Sequence, residues 1–264
     1  MMGKLQNKNI IITGASSGIG EKVALKAAER GARPILLARS IDKLEVLCEK
    51  INEKTSADCM FHQVDVSETY QVIEVFKKIL DEVGYVDILL NNAGFGVFDA
   101  FHEAKLEDVE KMFDVNVIGL MACTKQVLPS MLERNTGHIV NIASQAGKLA
   151  TAKSSGYAAT KHAVLGFTNA LRMELSDANI HVSAVNPGPI ETNFFTVADQ
   201  TGNYVKNVKK YMLQSDEVAE KIVQLMEHPK RELNLPKWMN MGSVLYNLFP
   251  TAADKLAGKF LNKK

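Results

Sequence analysis

Cysteine is scarce and badly placed for cross-linking. Cys48, Cys59 and Cys123 are an odd number in 264 residues, with no C-x-x-C pair and no histidine at metal-ligand spacing. A disulfide scaffold and a zinc site are excluded as organising features, and the three thiols read as reduced packing residues. Charge of one sign is lacking too: 31 Lys and Arg stand against 30 Asp and Glu, for a net +1. No global field attracts nucleic acid or an anionic membrane, and such a partner would need a local patch. Nothing in the chain reaches the roughly 18 consecutive apolar residues of a membrane span. The first residues, 1–9, have neither the apolar core nor the cleavage site of a secretory leader. These absences lead to the expectation of a soluble, cytoplasmic protein that holds no metal. No repeat, low-complexity tract or Pro/Gly/Ser-rich linker divides the chain, which reads as a single domain over residues 1–264.

What is present is an alternation. Short β-branched or apolar runs at 9–13, 34–38, 59–64, 86–90, 138–142 and 181–185 are too short for helices and read as strands. Between them, 41–54, 68–83, 106–134 and 157–178 repeat apolar residues at three and four, the helical period. Strand-helix alternation implies parallel strands with right-handed helical crossovers on both faces of the sheet, which explains why Ile10, Ile11 and Ile12 are all apolar. The expected fold is α/β, a three-layer, Rossmann-type doubly wound parallel sheet. Residues 191–212 break the rhythm, being polar and aromatic without a clean period; 216–227 is helical again, and 238–261 reads as an amphipathic tail.

Directly after the first strand come Thr13-Gly14-Ala15-Ser16-Ser17-Gly18-Ile19-Gly20 and then a helical run. In this context Gly14 makes the tight turn, Gly18 lets backbone approach a pyrophosphate, and Gly20 allows close packing of helix on sheet. Free N–H groups at the helix start attract the phosphates, and Ser16 and Ser17 add donors. At the end of the second strand, about 20 residues on, an Asp or Glu would hold the ribose 2′-hydroxyl of NAD. Here Ala38, Arg39 and Ser40 follow instead. A carboxylate would repel a 2′-phosphate, whereas Arg39 offers it a charge-assisted pairing and Ser40 a neutral donor. NADP(H) is the expected cofactor.

Tyr157 and Lys161 lie four apart in a helical pattern and share one helix face. A phenol near pKa ~10 is a poor acid-base group at neutral pH, and a neighbouring ammonium lowers that value. Among six tyrosines such a pair is commonplace, so its companions decide its weight. They are the 13–20 motif, Asp65-Val66 ending the third strand, Asn91-Asn92-Ala93-Gly94, Asn116 in a long helix, Ser144, and Pro187-Gly188 after the sixth strand. Together these resemble the short-chain dehydrogenase/reductase family, of the NADP(H)-preferring bacterial type, over nearly the whole chain. The resemblance implies a catalytic tetrad of Asn116, Ser144, Tyr157 and Lys161. Tyr157 would be general acid for reduction and base for oxidation, and Ser144 would hold the substrate oxygen. Lys161 would lower the tyrosine pKa and bond the nicotinamide ribose, while Asn116 would anchor a proton-relay water. It also implies cofactor contacts from Gly14, Ser16, Ser17, Gly18, Ile19 and Gly20; from Arg39, Ser40, Asp65, Val66, Asn92, Ala93 and Gly94; and from Tyr157, Lys161, Pro187, Gly188, Ile190 and Thr192. Asp65 would meet adenine and Thr192 the nicotinamide carboxamide.

The substrate should lie beyond the carboxyl ends of the strands. Phe95, Val97, Phe98, Leu149, Phe194, Phe195, Tyr204 and Tyr211 fall there, with only Lys148, Lys153 and Glu191 as fixed charge near the strand ends. The expectation is an oxidoreductase acting on the carbonyl or alcohol of a mostly apolar small molecule, with 191–213 as a lid. A cofactor-binding sensor without turnover is the alternative, because fold alone does not set function. In the tail, residues 236–264, Trp238, Met241, Leu245 and Leu248 form an apolar stripe. After Pro250 come Leu256, Phe260 and Leu261, interleaved with Lys255, Lys259, Lys263 and Lys264. Two short amphipathic helices packing on the domain or on a second subunit of a homodimer or homotetramer are expected, ahead of peripheral contact with a membrane.

Overall fold

The computed structural model describes residues 3–149, 151–199 and 202–251. Its first half alternates β1 (Asn9–Thr13), α1 (Gly18–Glu29), β2 (Arg33–Ala38), α2 (Ile41–Lys54), β3 (Met60–Gln63), α3 (Thr69–Val83) and β4 (Ile88–Asn91). There follow α4 (Leu106–Phe113), α5 (Leu120–Glu133), β5 (Gly137–Ile142), α6 (Ser155–Glu174) and β6 (Ile180–Pro187). The last third adds β7 (Ile190–Glu191), α7 (Phe194–Ala198), α8 (Asn203–Val208), β8 (Leu213–Gln214), α9 (Ser215–Glu227), β9 (Glu232–Leu235) and α10 (Lys237–Leu248).

Seven strands form one parallel sheet in the order β3-β2-β1-β4-β5-β6-β9. The all-apolar first strand follows from this, because helices cover both faces. Ile10 and Ile12 face one way, toward Val23, Leu44 and Ile222 of α1, α2 and α9. Ile11 faces the other, toward Phe76, Val127 and Leu171 of α3, α5 and α6. Strand order reverses between β1 and β4, and a crevice opens there at the carboxyl ends.

Before the tail, four features depart from or add to the sequence expectations. The helix expected over 106–134 is interrupted by a π-helical turn, Asp114–Gly119. A Cβ at Gly119 would lie 2.6 Å from the Val66 carbonyl oxygen, so this segment runs against the end of the third strand and its loop. By length and composition Leu106–Glu133 could cross a membrane, but Met112, Val117, Cys123, Val127 and Met131 are buried in the domain. Second, β9 has no counterpart among the expected strands. It is short, half-buried and carries Glu232 and Asn234, which serve a polar network rather than the apolar core. Third, the aperiodic 191–212 segment contains α7 and α8, five and six residues long and too short to display a period. Its ends are clasped by pairing of Ile190 with Leu213 and Glu191 with Gln214. Fourth, Cys48 of α2 and Cys59, eleven residues on, are both buried and close enough for each thiol to shift the other's ionisation. All three cysteines are free, as expected.

In the tail, α10 supplies the first expected amphipathic helix, but its stripe does not pack on the domain: Trp238, Met241, Leu245 and Leu248 are 57–69% exposed. Leu256, Phe260, Leu261 and the lysines at 255, 259, 263 and 264 lie outside the described residues.

Candidate active site

A cavity of about 470 Å³ occupies the crevice beyond the strand ends. One end is a backbone cradle. Gly14 and Gly18 have positive φ, 66° and 60°, which a side chain would strain. A Cβ at Gly14 would also sit 2.9 Å from the Ala93 Cα. Asn92 holds the turn in place, its Nδ2 donating to the carbonyls of Thr13 at 2.9 Å and Gly14 at 3.2 Å. Thr13 Oγ1 in turn accepts from the backbone N–H groups of Asn92 and Ala93, both at 3.0 Å. Thr13 is therefore a site-building residue, although nothing in its sequence setting marks it as more than the start of the glycine motif. Gly20 lies behind the cradle and not on the cavity; a Cβ there would strike the Gly14 carbonyl. Ser16, Ser17, Gly18 and Ile19 line the cavity as α1 begins, so unpaired helix N–H groups and two hydroxyls face the same space. A polyanion fits this donor set, and no side chain fits the space the glycines leave.

Arg39 and Ser40 form the next stretch of wall, with Asp65 and Val66 beside them. The Arg39 guanidinium is 78% exposed, and its Nη1 stands 3.9 Å from Asp65 Oδ2. Asp65 is fixed by its own turn, accepting from Ser67 N and Oγ at 3.0 and 2.7 Å. An exposed cation loosely held at the end of β2 can turn to a phosphate.

At the other end, Ser144, Tyr157 and Lys161 converge. Tyr157 and Lys161 are buried on one face of α6, with the Lys161 Nζ 5.7 Å from the centre of the Tyr157 ring. Lys161 Nζ donates to the Ile142 carbonyl at 2.8 Å. Ser144 follows β5 and lies beside Tyr157, close enough to favour its ionised form. The Ser144 Oγ also accepts from Ala146 N at 3.0 Å and donates to the Pro187 carbonyl at 3.5 Å. Burial pushes the Tyr157 phenol above its ordinary value, only partly offset by Ser144. Burial pulls Lys161 down to about 8. At neutral pH the pair is a phenol and a mostly charged ammonium.

Asn116 is placed by the π-helical turn and does not line the cavity. Its Oδ1 accepts from Phe95 N at 3.0 Å, and its Nδ2 donates to the Phe95 carbonyl at 2.9 Å and to Thr160 Oγ1 at 3.1 Å. Both amide protons are thus engaged. The side chain ties Phe95 to α6 and has no amide proton left for a relay water. Ala93 and Gly94, Pro187 at the end of β6, and Gly188, Ile190 and Thr192 after it complete the wall.

The remaining wall is aromatic. The Phe98 ring centre lies 5.6 Å from that of Tyr157 and 5.1 Å from that of Tyr204. Phe194 lies 5.7 Å from Tyr157 and 5.3 Å from Phe195. Phe95 and Leu149 also reach the cavity, whereas Val97 and Tyr211 do not. Neither Lys148, which pairs with Glu232, nor Glu191, which accepts from Gln214, lines the cavity. Lys148 also donates to Asn234 and Asn240, each at 2.9 Å, pinning the turn after Ser144 to β9 and α10. Met239 of α10 lines the cavity, a contribution with no chemical signature in the sequence.

Residues 8–202 match the family described as short chain dehydrogenase. The chain belongs to the short-chain dehydrogenase/reductase family of oxidoreductases. An uncharacterized oxidoreductase of Staphylococcus saprophyticus is 38% identical over 72% of this chain and 82% of its own length. The NADP-dependent 3-hydroxy acid dehydrogenase of Schizosaccharomyces pombe is 34% identical over 84% of this chain and 88% of its own. The closed form of serine dehydrogenase complexed with NADP+ superposes with a TM-score of 0.79 at 31% identity, covering 86% of this chain and 94% of that one. A solved structure of the same fold, from Burkholderia phymatum, is in complex with NAD.

Proposed function

We propose that this chain is an NADP(H)-dependent oxidoreductase that reduces the carbonyl of a mostly apolar small molecule, or oxidises the corresponding alcohol. The observation that carries the reading is the convergence of Ser144, Tyr157 and Lys161 between the glycine cradle and the aromatic wall of one cavity. When bound, the dinucleotide supplies or accepts the hydride. Gly14, Ser16, Ser17, Gly18 and Ile19 would hold its pyrophosphate, with Gly20 keeping α1 close. Arg39 and Ser40 would take the 2′-phosphate, and Asp65 and Val66 the adenine end. Asn92, Ala93, Gly94, Pro187, Gly188, Ile190 and Thr192 would surround the nicotinamide end, with Tyr157 and Lys161 on its ribose. The NADP-dependence of the yeast relative and the NADP+ bound to serine dehydrogenase support the phosphorylated form.

The acid-base work falls to the chain's own residues. Tyr157, held as a phenol by burial, donates its proton to the substrate oxygen during reduction. Ser144 steadies the charge developing on that oxygen. The Lys161 ammonium favours the phenolate left behind, and Asn116 positions the loop that faces them. Among the described residues, the only cations lining the cavity are Arg39 and Lys161, both already assigned, so no described side chain there pairs with a substrate carboxylate. The aromatic wall instead favours an apolar body, with 191–213 acting as its lid. The test is a panel of hydrophobic aldehydes, ketones, quinones, 3-oxoacyl compounds and steroids assayed by NADPH oxidation. At least one should be turned over with NADPH in strong preference to NADH. Tight NADPH binding with no turnover across the panel would favour the sensor reading.

A further inference from the structure

The outer face of α10 is an apolar surface without a partner among the described residues. Its inner face is used: Met239 reaches the cavity, Asn240 accepts from Lys148, and Ser243 is buried. Outward stand Trp238, Met241, Val244, Leu245 and Leu248, continued by Phe249, all exposed. Tyr211 packs on Trp238 with ring centres 6.1 Å apart, joining this face to the stretch after α8. The two segments that build it carry only basic charge, with Glu191, held by Gln214, and Asp216 and Glu217 at their margin. Lys206, Lys209, Lys210 and Lys237 are exposed, and neither 200–214 nor 233–251 contains an Asp or Glu. The near-neutral total thus conceals a local basic and apolar patch beside the cavity.

We propose that this patch docks the protein on an anionic lipid surface, with α10 lying in the interface and the cavity wall at Met239 next to the bilayer. The apolar face supplies burial at the level of the acyl chains, the aromatic pair suits the interfacial zone, and the lysines meet lipid phosphates. Each lysine near such a surface strengthens binding by roughly fivefold. Charge argues against a second copy as occupant. A twofold interface would set the same patch against itself, with four lysines facing four and no carboxylate from these segments between them. The inference goes beyond the oxidoreductase reading, and its readout does not depend on turnover.

Trp238 is the chain's only tryptophan, so its fluorescence reports this site alone. The full chain is mixed with phosphatidylcholine vesicles, with or without about one-third phosphatidylglycerol, and followed by emission and by sedimentation. On anionic vesicles the emission shifts to the blue and the bound fraction rises at least about tenfold over neutral vesicles, falling again at high salt. Met241→Gln/Leu245→Gln and, separately, Lys209→Glu/Lys210→Glu each reduce binding by about tenfold or more, with melting temperature and light-scattering mass unchanged. Three results overturn the proposal. One is no gain on anionic vesicles. Another is lipid-free emission that is already blue and shielded from iodide, meaning residues 252–264 or another copy cover the face. The third is a fall in mass with either variant, which makes the face a subunit interface.

Discussion

The two ends of the cavity are built by different means. The cradle end is specified by the backbone: a Cβ at Gly14 or Gly20 meets neighbouring atoms at once, and Asn92 and Thr13 lock the turn from the side. The substrate end is specified by side chains: rings from Phe98, Phe194, Phe195 and Tyr204, closed by short helices and by α10. At Gly242, in this second region, a Cβ would enter open space, with no atom within 4 Å, so packing does not impose its identity. A constraint on backbone approach leaves no freedom, whereas a wall of rings can be re-tiled. One region is therefore fixed in shape while the other can change what it meets.

The contrast can be broken or sharpened by substitution. The largest effect falls where the regions meet: Tyr157→Phe lowers turnover by about a thousandfold or more in steady-state NADPH oxidation, since it removes the transferable proton and little else. Next, Gly20→Ala destabilises the fold by about 3 kcal/mol or more in denaturant unfolding, because its methyl meets the Gly14 carbonyl and Asn92. By contrast, Gly242→Ala in exposed α10 is neutral or stabilising by up to about 1 kcal/mol. Equal costs at the two sites would erase the distinction. Arg39→Ala weakens NADPH binding by about ten- to a hundredfold in fluorescence titration and leaves NADH nearly unchanged. Phe194→Ala raises KM for an apolar ketone by about tenfold without altering NADPH affinity. The smallest effect is in pH. Because burial lowers Lys161 to about 8, reductive kcat/KM falls as pH rises through that value and the ammonium is lost. The stability sign is opposite: the cost of burying the charge is fully present below about 8 and is relieved as pH rises toward the ordinary lysine value. Melting temperatures should therefore rise over that window in the wild type relative to Lys161→Met.

The cradle half is legible in the sequence because its rules are local. A strand, three glycines and a helix start at fixed spacing, and Arg39 at the end of β2, are all readable in one short stretch of chain. Tyr157 and Lys161 share a helix face by spacing alone, whereas Ser144 is placed only by resemblance. The aromatic residues fall in the expected region, but which of them reach the cavity depends on how α7 and α8 fold, and Tyr211 stands instead against Trp238. Strand β9 alternates, Leu233 and Leu235 toward the core and Glu232 and Asn234 toward Lys148, but four residues before Pro236 are too few for that period to stand out. Asn116 sits in an unbroken helical pattern, which hides the π-helical turn that spends its side chain on Phe95 and Thr160.

In the proposed reading most of the cofactor's contacts come from the cradle, the Tyr157 hydroxyl adding one at the ribose, while the proton comes from Tyr157 alone, so the two functions are separable. The direct test is the NADPH dissociation constant of Tyr157→Phe, titrated on the same preparation used for turnover. The prediction is an affinity within about twofold of wild type alongside the lost activity. An affinity that falls in step with turnover, or turnover that survives, would contradict it.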